Sequence, residues 1–202
     1  MKLFPIKAVG LAAMLPLAAI ATPSVAETAA PNVTTDRTIV THLTQPITRE
    51  EVEAAQQAWG NALVAIATTY DTKGHSAAKK LAGEVIDTAY GYDFGQVLFK
   101  PTLASGEQTF RSSRDGALSY FVGGDKRFAG DTGFALKGWR SFEIQNAGIL
   151  LNGNTATSMG NVTVIDAKGN RTMVDKTWGY VRGPDGKLRI VLHHSSLPYS
   201  AG

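Results

Sequence analysis

The spacing of apolar residues along the chain changes from helical to strand-like at about residue 139. From Thr48 onward, apolar residues recur every three or four positions, as on one face of an amphipathic helix: Val52, Ala55, Trp59, Leu63 and Ile66. Thr48 and Glu51 have the spacing of a capping box, so the helix is predicted to begin there. The segment 71–74 (Asp-Thr-Lys-Gly) interrupts this pattern, and an alanine-rich second helix is predicted over 77–89.

Four long strands are predicted in the C-terminal part of the chain. Apolar and polar residues alternate over 139–151, 155–165, 171–182 and 188–196, and turns rich in Gly, Asn and Asp separate these segments. Short turns join antiparallel neighbours, so the four strands are expected to form an antiparallel meander.

The segment between the helices and the meander has a mixed pattern. We expect strands over 96–102 and 108–111, a short helix over 114–122, and a loop over 125–138 that serves as a lid or an interface segment. Helices followed by a sheet of this kind define an α+β fold. The expected architecture is one domain over 47–200 of the cystatin-like, nuclear-transport-factor-2-like type. In such a cone, N-terminal helices pack on a strongly curved antiparallel β-sheet.

The last predicted strand ends in four polar residues, which makes it the first candidate for a functional surface. Because successive strand side chains point to opposite faces, one face is expected to carry Arg189, Val191, His193 and Ser195. The other face is expected to carry Leu188, Ile190, Leu192, His194 and Ser196. Imidazoles and hydroxyls are costly to bury without partners, so they form either a functional wall or simply the exposed end of the strand.

The first 26 residues have the pattern of a secretory signal peptide. Lys2 and Lys7 form a basic start, an apolar stretch follows, and 23–26 (Pro-Ser-Val-Ala) offers a cleavage site after Ala26. The apolar stretch is short for a bilayer span, so an uncleaved anchor is the weaker alternative. Residues 27–46 are polar and are predicted to be a flexible leader. The mature protein is therefore expected in the periplasm or outside the cell, without a membrane span.

Charge and cysteine content exclude several classes of function. The 202 residues include 20 Lys and Arg against 17 Asp and Glu, and removal of Lys2 and Lys7 leaves 18 against 17, a net charge of +1. Such a balance gives no reason to expect a nucleic-acid partner. The chain has no cysteine, which excludes thiolate nucleophiles and cysteine-containing zinc sites.

A zinc site built from histidines is not expected either. The four histidines are His42, His75, His193 and His194. The last two are adjacent on a strand and point to opposite faces, while the others lie in the leader and near the helix break. A site that combines one histidine with carboxylates remains open.

The remaining chemistry could use a carboxylate or a set of hydroxyls. Asp175 is the candidate for an isomerase-like acid–base reaction, although Lys176 and Arg182 offer it a surface ion pair. The second possibility is a cavity whose hydroxyls and imidazole orient a water and a small molecule. Its candidate residues are Thr102, Tyr120, His193 and Ser195.

Several segments, in this order, resemble one known family. They are 99–102 (Phe-Lys-Pro-Thr), 117–124 (Ala-Leu-Ser-Tyr-Phe-Val-Gly-Gly), 133–135 (Gly-Phe-Ala), 159–161 (Met-Gly-Asn), 177–180 (Thr-Trp-Gly-Tyr) and 192–199 (Leu-His-His-Ser-Ser-Leu-Pro-Tyr). Together they are similar to the iota class of carbonic anhydrases, whose domain resembles the association domain of calcium/calmodulin-dependent kinase II. The resemblance extends from about residue 47 to 199.

The resemblance implies the reversible hydration of carbon dioxide to bicarbonate by a homodimer that needs no metal or other cofactor. The motifs place Thr102, Tyr120, His193 and Ser195 in the catalytic cavity. His193 would then be the base or proton relay, because it alone among the four titrates near neutral pH. The family pattern would have aromatic residues at positions 162 and 176, where this chain has Val162 and Lys176.

Two other functions remain open from the sequence. The domain could bind a small ligand or mediate assembly without catalysis, since the cone fold hosts many activities. It could also be an isomerase-like enzyme that uses Asp175.

Overall fold

The computed structural model describes residues 45–200, and it contains two helices and five strands. In chain order these are α1 (Arg49–Ala89), β1 (Leu98–Lys100), α2 (Arg114–Val122), β2 (Trp139–Asn152), β3 (Thr155–Asp166), β4 (Arg171–Arg182) and β5 (Leu188–Ser196). The predicted signal peptide, most of the predicted leader and His42 lie outside the described residues. Within residues 45–200, no helix combines the length and the apolar character needed to cross a bilayer.

Helix α1 begins and bends where the sequence predicts. The Thr48 backbone amide donates to the Glu51 carboxylate at 2.9 Å, and the Glu51 amide donates to the Thr48 hydroxyl at 3.3 Å, which confirms the capping box. At Gly74 the backbone has a φ of 80°, which other residues rarely adopt, so the helix is divided there as expected. The adjacent His75 donates through Nε2 to the carbonyl of Val122 at 2.7 Å and ties the bend to α2.

The five strands form one mixed sheet in the order β1-β5-β4-β3-β2. Strands β2 to β5 form the predicted antiparallel meander. The prediction of a wholly antiparallel sheet is wrong at the edge, because β1 pairs in parallel with β5. Helix α2 and strands β2 to β4 lie between these two strands in the chain. The connection from β1 to β5 is therefore long enough to permit parallel pairing.

The prediction of a second short strand over 108–111 is also wrong. A single 3₁₀ turn occupies Gly106–Gln108 instead, and it starts at Gly106 with a φ of 66°. One backbone hydrogen bond, from the Arg111 amide to the Phe99 carbonyl, holds the following segment beside β1. The loop over 125–138 contains two further 3₁₀ turns, Lys126–Phe128 and Phe134–Leu136.

Helix α1 and the inner face of the sheet enclose the hydrophobic core. The helix contributes Val52, Trp59, Leu63, Ile66 and Ile86, and the strands contribute Val162, Val164, Val174, Trp178 and Tyr180. The register shifts within β2, at Trp139/Ser141 and Asn146/Gly148, as in a bulge. Bulges bend a strand and increase its twist, so bulges in β2 would contribute to a curved sheet such as the one predicted.

A bulge at Val191 changes the faces of β5. Tyr180 pairs with Ile190 and Gly179 pairs with Leu192, so Val191 is the extra residue. Ile190 therefore lies on the same inner face as His193 and Ser195, and the simple alternation predicted for this strand is wrong before residue 192. It holds from His193 onward, since His193 and Ser195 are buried and His194 is exposed.

Candidate active site

The four polar residues selected from the sequence line one small pocket between the inner face of the sheet and the two helices. Thr102 follows β1, Tyr120 lies on α2, and His193 and Ser195 lie on β5. The remaining lining residues are Trp59, Phe99, Pro101, Phe121, Phe134 and Lys176. The lining is thus mainly aromatic with a few converging polar groups, and these side chains pack closely enough that the space between them is small.

Two hydroxyls form the polar end of this pocket. The Oγ1 of Thr102 and the Oγ of Ser195 lie 2.6 Å apart, and either one can donate. The pairing of β1 with β5 sets this contact, because it aligns Phe99 with His193 just before the two hydroxyl residues. Each oxygen keeps a lone pair after this bond, so the pair can still bind a third polar group.

Tyr120 contributes a buried hydroxyl that forms no hydrogen bond of good geometry among the described residues, and Thr102 and the backbone of Leu103 lie near it. Its ring stacks on Phe134 with centroids 5.6 Å apart, and it meets Phe99 edge-on at 5.7 Å. Burial raises the pKa of Tyr120 to about 12, so the phenol stays protonated near neutral pH. It is therefore a neutral hydrogen-bond donor in the pocket.

Both ring nitrogens of His193 already have partners. Its Nδ1 lies 2.8 Å from the Tyr90 hydroxyl, and its Nε2 lies 2.8 Å from the Nζ of Lys176. The Tyr90 oxygen also accepts from the indole N–H of Trp59 at 3.0 Å. Burial holds the pKa of His193 well below its usual range, and Lys176 lowers it further whenever its amine is protonated. His193 is thus a neutral imidazole within a buried network.

Lys176 is the functional candidate that the sequence reasoning missed. Lys176 is only 4 % exposed, and its Nζ lies over the ring of Trp59, 4.6 Å from the ring centroid. Burial lowers the pKa of Lys176 to about 7. The alternation of Val174, Lys176 and Trp178 along β4 was the available signal, because the two apolar neighbours mark this as the inner face.

Asp175 does not belong to the pocket. It is exposed on the opposite face of β4, where its carboxylate accepts from the side-chain amide of Asn161 at 2.8 Å. The expected surface ion pairs are wrong as well, since Lys176 is buried and Arg182 binds Glu51 at 2.7 Å. An isomerase-like reaction through Asp175 therefore has no structural basis.

The three histidines within residues 45–200 do not converge. His194 is exposed on the face opposite His193, and His75 binds the carbonyl of Val122. Within residues 45–200, no three His, Asp or Glu side chains are grouped in a way that could hold a metal ion.

Comparison with known proteins first defines the class of fold. The chain is 24 % identical to a putative calcium/calmodulin-dependent protein kinase II association domain from Xanthomonas campestris, with a TM-score of 0.51 over 79 % of this chain and 99 % of that one. A likeness at this identity concerns the fold alone. It confirms the predicted α+β class and the predicted likeness to the fold of this association domain.

Sequence similarity then defines the family. A family model for metal-independent carbonic anhydrase matches residues 50–197. A metal-independent carbonic anhydrase from Nostoc sp. is 63 % identical over 153 residues, which are 76 % of this chain and 75 % of the relative. The chain belongs to the metal-independent carbonic anhydrases.

A solved structure supports the same assignment. The iota-carbonic anhydrase of a cyanobacterium, crystallised with bicarbonate, is 62 % identical and has a TM-score of 0.77 over 77 % of this chain and 95 % of that one. The predicted resemblance to the iota class is confirmed. The expectation of an enzyme without a metal cofactor is confirmed by the family itself, which is described as metal-independent.

Proposed function

We propose that this chain catalyses the reversible hydration of carbon dioxide to bicarbonate in the pocket lined by Thr102, Tyr120, His193 and Ser195. The observation that carries the proposal is the hydroxyl pair of Thr102 and Ser195, which shares an aromatic pocket with the buried hydroxyl of Tyr120. Bicarbonate bound to the 62 % identical cyanobacterial enzyme supports the same substrate.

The pocket suits both the apolar and the charged species of this reaction. Carbon dioxide is linear and apolar, and the rings of Phe99 and Phe134 offer it an apolar wall. Negative charge develops on its oxygens as water attacks. The O–H of Tyr120 and one hydroxyl of the Thr102–Ser195 pair can stabilise that charge, and the other hydroxyl can orient the water. Preorganised donors of this kind act strongly in a site that excludes bulk water.

His193 acts within its network in this proposal and does not take the water proton directly. Its two nitrogens already contact Tyr90 and Lys176, and its pKa is lowered by burial. Of the two roles expected from the sequence, base or relay, the contacts favour the relay.

Hydration of carbon dioxide followed by stopped flow tests the proposal. The protein is purified, treated with a chelator and compared with Ser195→Ala, and Ser196→Ala is the matched control because Ser196 does not line the pocket. Loss of one charge-stabilising donor lowers kcat by about 100-fold or more, so Ser195→Ala should fall by that factor while Ser196→Ala stays close to the parent. A parent protein without hydration activity, or equal activity in all three proteins, would overturn the proposal.

We further propose that the enzyme is exported and acts in the periplasm or outside the cell. The basic start at Lys2 and Lys7, the apolar stretch and the cleavage signature before Glu27 support this. N-terminal sequencing of protein recovered from cell fractions tests it. We expect mature protein that starts at Glu27 in the periplasmic or secreted fraction, and an intact chain that starts at Met1 in the cytoplasm would contradict export.

We also propose that the enzyme is a homodimer. Leu150, Met159 and Met173 lie on the sheet face opposite α1, and Leu150 and Met159 are 71 % and 60 % exposed. Exposed apolar side chains on one face favour association between copies. Sedimentation equilibrium should give twice the mature mass, and Met159→Lys should shift the protein toward the monomer. A monomeric parent protein at micromolar concentration would overturn this proposal.

A further inference from the structure

Among residues 45–200, Lys176 has no carboxylate partner that would balance a positive charge in the pocket. Its Nζ contacts the Nε2 of His193 and the faces of Trp59 and Trp178, at 4.6 and 5.5 Å from their ring centroids. Contact with aromatic faces stabilises an ammonium only modestly. Removal of that ion from water costs more than these contacts return, so burial at this position favours the neutral amine.

The strand register places Lys176 beside the hydroxyl pair. Lys176 on β4 is the direct cross-strand partner of Ser195 on β5, and both side chains are buried on the inner face. Direct partners have Cβ atoms about 4.5–5.5 Å apart. Ser195 in turn contacts Thr102 at 2.6 Å. The amine therefore lines the part of the pocket in which the proposed reaction takes place.

The hydrogen-bond directions of the network also favour a neutral amine. The indole of Trp59 can only donate, so the Tyr90 oxygen accepts there and directs its own hydrogen to the Nδ1 of His193. The imidazole proton is then on Nε2, and it needs the lone pair of a neutral Lys176 as acceptor. An ammonium would require the imidazole proton to be on Nδ1, and the Tyr90 hydrogen would then have no acceptor among its contacts in residues 45–200.

The other titratable groups around Lys176 carry no charge near neutral pH. His193 on β5 has a lowered pKa, and burial raises the pKa of Tyr90, which directly follows α1, and of Tyr120 on α2. On β3 the cross-strand partner of Lys176 is Gly160, which has no side chain. Lys176 is thus the group in the pocket lining whose protonation changes near neutral pH.

We propose that Lys176 is the catalytic base that accepts the proton released when water attacks carbon dioxide, an assignment that rests on the function proposed above. In the hydration step, one O–H bond of the water breaks, and the water oxygen forms a bond to the carbon. The proton goes to the lone pair of Nζ, which turns from His193 toward the water. The products are bicarbonate and a lysine ammonium, so atoms and charge balance.

The same group serves the reverse reaction. The ammonium of Lys176 pairs with bound bicarbonate and returns its proton to the leaving hydroxyl, which departs as water. The buried positive charge is then present together with the bicarbonate anion, which offsets it. After bicarbonate leaves, the ammonium loses its proton to solvent, and the neutral network with His193 and Tyr90 re-forms.

The test measures kcat for hydration between pH 6 and 9 on chelator-treated protein. The variants are Lys176→Met, which has no base, and Lys176→Arg, which keeps a permanent charge. Lys168→Met is the matched control, because Lys168 is exposed in the turn between β3 and β4. Loss of a general base lowers the rate by about 100- to 10,000-fold, and we expect this for both Lys176 variants. The parent and Lys168→Met should show kcat rising with pH around 7, in accord with the lowered pKa of Lys176.

Other outcomes would overturn the assignment. If Lys176→Met keeps the parent's kcat and pH profile while Ser195→Ala loses activity, the pocket is correct and Lys176 is not the base. If the parent itself shows no hydration, the proposed function fails first. Should Lys176→Met not fold, titration of the parent labelled with ¹³C at lysine Cε, assigned with Lys176→Arg, decides the question. A Lys176 signal that stays protonated above pH 9 would contradict the proposal.

Discussion

The Nζ of Lys176 lies 2.8 Å from the Nε2 of His193, and this contact joins β4 and β5 at the base of the pocket. The network continues through the Tyr90 hydroxyl to the indole of Trp59 on α1. Four buried side chains thus connect the helix to the centre of the sheet by polar contacts inside an otherwise apolar core. Such networks fix the rotamers of their members when all groups are satisfied.

Stability should rise with pH because of Lys176. Burial lowers its pKa to about 7, whereas the unfolded chain keeps the ordinary value of 10.5. Between these values the unfolded state binds more protons, so the free energy of unfolding increases as pH rises. One pKa unit corresponds to about 1.4 kcal/mol, so we expect an increase on the order of a few kcal/mol from pH 7 to 9. Urea unfolding at both pH values measures it.

The variant Lys176→Met supplies the control for this prediction. It should be more stable than the parent at pH 7, and its free energy of unfolding should change little up to pH 9. Above about pH 10 both proteins should lose stability, because the raised pKa values of Tyr90 and Tyr180 let the unfolded chain release tyrosine protons first. A parent protein with equal stability at pH 7 and 9 would mean that Lys176 is not neutral in the folded state.

Removal of the Tyr90 hydroxyl should alter the pH profile of hydration. In Tyr90→Phe, the indole of Trp59 and the Nδ1 of His193 both lose their partner. An unsatisfied buried polar group costs about 1–3 kcal/mol, so stability should fall by that order. The imidazole proton is then free to move to Nδ1, which lets an ammonium at Lys176 donate to Nε2. We therefore expect the rise of kcat to shift to higher pH.

Tyr92→Phe is the matched comparison for Tyr90→Phe. The Tyr92 hydroxyl donates only to the carbonyl of Arg111 at 3.0 Å, and its ring stacks on Tyr90 with centroids 6.0 Å apart. Its loss should lower stability by about 1 kcal/mol and leave the pH profile unchanged. If the pH at which kcat rises shifts equally in both variants, the shift comes from a general loss of core packing and not from the Tyr90 hydroxyl.

Periodicity predicts much of this fold, and side-chain spacing predicts part of the site. The capping box, the break near Gly74 and the four-stranded meander depend on local pattern, and each is found where the pattern indicates. The place of β1 was not predictable in this way, because its parallel pairing with β5 depends on contacts between residues about 90 positions apart. Local sequence also gives no sign of the bulge at Val191.

The site divides in the same manner. Alternation from His193 to Ser196 correctly separates the buried pair from the outer pair. From the sequence, Lys176 is expected in a surface ion pair with Asp175, and charged residues are indeed seldom fully buried unless they are paired. Its burial depends on hydrogen bonds that connect it to His193 on the neighbouring strand and, through His193, to Tyr90. Tyr90 is distant from both residues along the chain. A buried lysine of this kind can be recognised only when the pairing of the strands is known.

The ion pair of Arg111 and Asp131 should be important for stability. Their side chains are 3 % and 5 % exposed, the Nη2–Oδ1 distance is 2.7 Å, and Ser119 donates to the other carboxylate oxygen. Loss of one member of a buried pair leaves the other charge uncompensated and costs about 3–5 kcal/mol. We expect a decrease of this order for Asp131→Asn in urea unfolding. Asp125→Asn, which weakens the solvent-screened pair with Arg127, should lower the free energy of unfolding far less.

Gly60 allows α1 to approach β2 closely. A Cβ at this position would lie 2.3 Å from the ring of Phe142, so the ring or the helix would have to move. Overpacking of a core costs about 1–3 kcal/mol, which exceeds the gain of about 1 kcal/mol from replacing glycine in a helix. We therefore expect Gly60→Ala to lower the free energy of unfolding. Trp59 directly precedes Gly60 and lines the pocket, so a shift of the helix would also move this wall. We therefore expect kcat for hydration to fall as well.

Two further variants separate the steric cause from a helix effect. Gly83→Ala lies in the same helix, but its Cβ would meet only the flexible end of Arg114 at 3.3 Å, so it should be neutral or slightly stabilising. In the double variant Gly60→Ala/Phe142→Leu, the smaller side chain removes the clash and should recover part of the lost stability. If Gly60→Ala alone matches the parent in both stability and hydration, the ring of Phe142 can move without displacing Trp59. The contact between α1 and β2 would then not fix the position of the pocket wall.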